Sequence, residues 1–234
     1  MELDRIESAV DAGDRNLRDL GFWRVVAAVK RDPALIEPHA EQVGRIDGKA
    51  FRAGVPRRVP VWVGNLVLLA AAAAGAAAVL FSWNVSEGAK PENDPLIIGG
   101  CAVGAGLVWT VAFHSPTHWV VGRLCGIGFT DYFVGGPPPP RPGLKIDYAS
   151  YLRTAPMNRA WMHASGAIAT KLAPFVALAV VPRDRLPGWA AVALLVIGFG
   201  SIATDLLFSL KLSDWKKVRR EWRLARELRA AAAG

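Results

Sequence analysis

Cysteine is scarce in this chain, with two residues in 234, and histidine nearly so, with four. Cys101 and Cys125 stand toward opposite ends of one apolar run. Were that run a helix, roughly 36 Å would separate them along its axis, so no intrachain disulfide is expected and cysteine says little about compartment. Charge is also missing over long stretches, the first of which, Val59–Val85, has none. A soluble domain mixes apolar and polar residues with a period near 2 or 3.6, and this segregation excludes that class. The first 59 residues are charged and lack the short apolar segment and small-residue cleavage site of a signal peptide, so none is expected.

What is present is apolar: 52% of residues are hydrophobic and the mean hydropathy is +0.25. About 20 apolar residues cross a bilayer core as a helix. Four runs qualify: 59–85, 96–122, 157–181 and 186–210. The expected fold class is therefore an all-α polytopic membrane protein with about four transmembrane helices. Residues 1–58 would form a cytoplasmic amphipathic helical region, 59–211 the membrane domain and 212–234 a basic amphipathic tail.

Lysine and arginine near span ends set orientation. Arg45, Lys49, Arg52, Arg57 and Arg58 precede the first run against Asp47 alone, whereas 84–94 has Lys90 against Glu87, Glu92 and Asp94. The connection 123–156 and the tail from Lys211 are basic again. Both termini are thus expected in the cytoplasm of a multi-pass protein of the cell membrane. The net charge of +8 lies beside the spans, so membrane lipids are the expected partner and nucleic acid is not. Asp32-Pro33 reads as a helix start in the N-terminal region. Phe129–Val134 is β-prone, and the prolines 137–140 that follow read as stiff polyproline II in a cytoplasmic loop. The pair Gly100-x-x-x-Gly104 suits helix contact within or between chains.

Ionisable residues inside spans are costly and are functional candidates by default. The runs contain His114, His118, His163, Lys171 and Asp205. By helical rise, all but Lys171 fall in the same inner layer of the membrane. His114 and His118 share a helix face one turn apart. Two imidazoles so spaced, with a carboxylate from elsewhere, make a common zinc site. Asp205 is the one acidic residue within a span and the natural third ligand, with His163 a fourth ligand or a substrate-facing group. Two other readings stand beside it: interhelical hydrogen bonding, with Lys171 pairing Asp205, and haem, which one-helix i, i+4 spacing suits less well.

The stretch His114-Ser115-Pro116-Thr117-His118, with Gly122-Arg123-Leu124 and Gly126-Ile127 after it, resembles the core motif of site-2 proteases. These are intramembrane zinc metalloproteases with H-E-x-x-H on a core helix. Phe129–Pro137 resembles the β-like segment that follows in the family, and Met162–Ala169 its next, small-residue helix opening. The resemblance covers roughly residues 95–212 and implies zinc on His114, His118 and Asp205. In place of the family's catalytic glutamate stands Ser115, whose hydroxyl cannot act as a general base near neutral pH. Pro116 removes a helix hydrogen bond within the motif, and Asp205 lacks the family's flanking Asn-Pro.

Three functions follow as expectations. One is a site-2-protease-like protein that holds zinc, lacks peptidase activity and binds transmembrane partners. Another is an active metallopeptidase drawing its base from Asp131, His163 or Asp147. The last is a membrane scaffold or transporter whose polar cluster serves packing or ion passage.

Overall fold

The computed structural model describes residues 2–88, 94–135, 141–207 and 214–233. The expected polyproline segment at 137–140 and the last residues of the fourth apolar run lie outside them. The elements are α1 (Glu2–Asp11), α2 (Phe22–Arg31), α3 (Pro33–Gly54), β1 (Arg58–Pro60), α4 (Val61–Gly88), α5 (Asp94–Ala112) and α6 (His114–Leu124). They continue with β2 (Phe129–Gly135), β3 (Arg141–Ile146), α7 (Tyr148–Arg153), α8 (Pro156–Val180), α9 (Gly188–Leu207) and α10 (Asp214–Ala233). The chain divides into two compact units.

The first unit comprises residues 1–64, 121–160 and 219–234. Asp32 caps α3 by accepting from the Ala34 amide at 3.0 Å, and Pro33 follows where a missing N–H costs nothing. Leu3, Ile6 and Val10 of α1 pack with Phe22, Val26 and Val29 of α2 and Val43 and Ile46 of α3. Leu152 of α7 completes this core. The β-prone segment forms the middle strand of a three-stranded antiparallel sheet, with Arg58 opposite Phe133 and Tyr132 opposite Leu144. The chain is thus predominantly helical with one small sheet.

The tail contributes Glu221, Leu224 and Ala225 to the buried part of this unit. Glu221 Oε1 lies 2.5 Å from Lys30 Nζ and accepts from the Tyr151 hydroxyl at 3.1 Å, while Oε2 lies 2.9 Å from Arg159 Nε. Burial raises the Glu221 carboxyl, but Lys30 and Arg159 outweigh it and hold the group below its ordinary 4.5. Burial pushes Lys30 down to about 8 against the pull of Glu221.

The second unit comprises residues 65–120 and 161–218. Among the described residues, four helices are long and apolar enough to cross a membrane, over Val61–Asn84, Pro95–Ala112, Pro156–Val180 and Gly188–Asp205. Small residues let them approach: Ala102, Ala105, Ala173 and Ala177 are buried together with Ile98, Trp109 and Leu194. Gly75 leaves room for Trp109, whose indole donates to the Ala72 carbonyl at 2.9 Å, and a Cβ at Gly75 would sit 2.5 Å from that indole nitrogen. Large apolar side chains face outward, among them Leu96, Val196 and Phe199 at 73%, 64% and 61% exposure. A surface of that character is unstable in water and natural in lipid. The second apolar run is not one regular helix, because Pro116 has no N–H to return to the Ala112 carbonyl and a turn at Phe113 parts α5 from α6.

Candidate metal centre

The break places His114 and His118 at the start of a helix of their own, still one turn apart, their rings 4.7 Å between centroids. Each ring is held by its Nδ1. His118 Nδ1 lies 2.6 Å from the Met162 carbonyl oxygen, and His114 Nδ1 lies 3.2 Å from that of Gly166 and 2.9 Å from Thr170 Oγ1. A carbonyl oxygen only accepts, so both Nδ1 atoms carry a proton, and a ring without a second proton presents its Nε2 lone pair. This is how proteins orient histidines that bind metals.

Both Nε2 atoms face one carboxylate oxygen. Asp214 Oδ2 lies 3.5 Å from His114 Nε2 and 3.3 Å from His118 Nε2. The other oxygen, Oδ1, lies 2.9 Å from Lys217 Nζ, one turn along α10. Burial would raise the Asp214 carboxyl, but Lys217 and a protonated His118 outweigh it and hold it well below the ordinary carboxylate range.

Lone pairs on Nε2 and on a carboxylate repel unless a cation stands between them. A shared proton would draw nitrogen and oxygen to about 2.7–2.9 Å. Ligands about 2.0–2.1 Å from a tetrahedral ion lie about 3.3–3.4 Å from each other. The separations of 3.5 and 3.3 Å are compatible with the second spacing. The three ligand atoms lie within 4.8 Å of one another. Two imidazoles and a carboxylate are also the donor set of many zinc sites, so these residues fit a divalent ion.

The expected site residues are thus distributed as follows. His114 and His118 come together. His163 is buried on α8, its ring 6.5 Å from that of His118. Asp205 lies against Lys171, Oδ2 to Nζ 2.5 Å, and not in the three-ligand group. The carboxylate facing the histidines is Asp214, which the sequence reading leaves in the tail. Its one signal was an acidic residue opening a basic helix, which reads equally as a complement to the helix dipole.

Gly166 completes the geometry. A Cβ there would stand 2.3 Å from His118 Nε2, so the ring lies flat against the α8 backbone only because the residue has no side chain. Ser115, between the two histidines in sequence, is half-buried. In the first unit, Asp131 faces Arg58 at 4.0 Å and Asp147 caps α7 by accepting from the Ala149 and Ser150 amides. No family model, curated protein or solved structure matches this chain.

Proposed function

We propose that this is a site-2-protease-like membrane protein that holds one zinc ion on His114, His118 and Asp214 and does not hydrolyse peptides. The observation that carries the reading is the pair of Nε2–Oδ2 separations, 3.5 and 3.3 Å, between rings whose Nδ1 protons are already committed. A divalent ion there would supply Lewis acidity. Beside it, Ser115 stands where the protease motif needs a carboxylate to act as base. Asp131 and Asp147, the carboxylates considered in its stead, each have a structural partner. His163, whose ring stands 6.5 Å from that of His118, is the third group considered, and a low activity would run through it.

On this reading the protein is multi-pass in the cell membrane with both termini cytoplasmic, by the placement of Lys and Arg around the spans. Its partners are membrane lipids and a transmembrane segment of another protein, received without cleavage. Cleavage of a transmembrane model peptide by the reconstituted full chain tests the reading. Wild type should leave the peptide intact, and Ser115→Glu should cleave it in a zinc-dependent manner. Zinc-dependent cleavage by wild type that His163→Ala abolishes would make the protein an active metallopeptidase instead.

A further inference from the structure

Within the apolar helices of the second unit, two charges stand outside the ligand set, Lys171 on α8 and Asp205 on α9, paired at 2.5 Å. An ion pair at membrane depth gives little stability over an apolar pair, so its presence calls for a further role. The same Oδ2 of Asp205 accepts a hydrogen bond from Trp215 Nε1 at 3.1 Å. Trp215 directly follows Asp214 in the first turn of α10. The indole N–H can only donate, and a carboxylate is the strongest acceptor a side chain can offer it.

We propose that Asp205 and Lys171 are positioning residues for Asp214: they form a seat for Trp215 that fixes the first turn of α10, so that Asp214 Oδ2 meets both imidazoles. The inference rests on the metal reading above. A helix end has amides without intrahelical partners and frays, so a ligand there needs an anchor beyond its own helix. Lys217 sets which carboxylate oxygen turns to the histidines, while Trp215 sets where the backbone of that turn stands. Asp205, the acidic residue that the sequence singles out, thereby acts through its neighbour on the tail.

The test is the zinc affinity of the full chain in detergent, measured by competition with a chromophoric chelator, together with the visible spectrum of the Co2+-loaded protein. Trp215→Phe keeps an aromatic ring at the position but removes the donor, and should weaken zinc about tenfold, as loss of a group orienting a metal ligand does. Its Co2+ spectrum should shift while the melting temperature holds. The pair Asp205→Leu with Lys171→Met removes the seat without stranding a charge and should weaken zinc by the same factor. Combined with Trp215→Phe, the pair should cost no more than either alone. Asp205→Asn, which still accepts from the indole, should recover most of the affinity. Wild-type affinity in Trp215→Phe, or losses that multiply as independent effects, would overturn the positioning role and leave the metal reading intact. A wild type that binds no zinc would overturn both.

Discussion

The Met162 carbonyl oxygen lies 2.6 Å from His118 Nδ1, and this contact decides which ring nitrogen faces Asp214. The acceptor is backbone, so side-chain substitution cannot remove it. The ring can instead be displaced from Gly166, one turn farther along α8, where a Cβ would stand 2.3 Å from Nε2. Gly166→Ala should therefore cost about 1–3 kcal/mol of stability, as overpacking does. It should also cut zinc affinity at least about tenfold, the effect of a misoriented ligand. Calorimetric zinc titration of the variant checks this, and an unchanged affinity would mean that His118 does not need its present orientation.

Acid should release the metal through the imidazoles and not through Asp214. Because the folded-state pKa of Asp214 is depressed, the carboxylate stays ionised in the folded protein as pH falls past its ordinary 3.8. Its stabilising contribution is present above that value and is lost only below it, as pH falls through the lower folded value. Each imidazole must be free of a proton on the nitrogen that binds, so acid competes with the metal for both rings. Zinc release followed with a chelating dye should thus be complete before pH 4. Retention of bound zinc below pH 4 would contradict the assignment of the two histidines.

A separate expectation concerns the first unit. Glu221 is fully buried between Lys30 and Arg159. Glu221→Ala strands both cations and should destabilise the unit by about 3–5 kcal/mol. Limited proteolysis should cut α1–α3 faster in this variant, and an unchanged cleavage rate would refute the buried cluster. The pH dependence has a definite sign. The folded pKa of Glu221 lies below 4.5, so its contribution is present above 4.5 and is lost as pH falls through the folded value. Lys30, at about 8, is charged in folded and unfolded chains alike below that pH and adds nothing to the acid limb. Glu221→Gln should accordingly flatten the acid dependence of proteolysis.

Several elements were legible in the sequence because one local cause dominates each. Long apolar runs announce the four spans, and Asp32-Pro33 announces α3 through a cap and a fixed φ. Phe129–Val134 was β-prone through its aromatic and branched residues, but its partners were hidden, since β1 ends in Pro60 and β3 contains Pro142 and Gly143, which lower strand propensity. The histidine pair was legible from spacing alone. The third carboxylate was not: Asp205 stood out in an apolar run, whereas Asp214 sits among the charges of a basic helix and gains its meaning from tertiary packing. The burial of Glu221 was hidden for the same reason, because a lone acid among arginines reads as a solvated face.

Whether His114, His118 and Asp214 together hold one divalent ion is decided by the zinc content of detergent-purified, zinc-reconstituted protein. Wild type should carry about one zinc per chain, as three protein ligands with an open position would hold. None is expected in His114→Ala/His118→Ala or in Asp214→Ala, while Asp205→Ala should be weakened but still load at high zinc. No zinc in the wild type, or a full complement in the double-histidine or Asp214 variant, would contradict the three-ligand site.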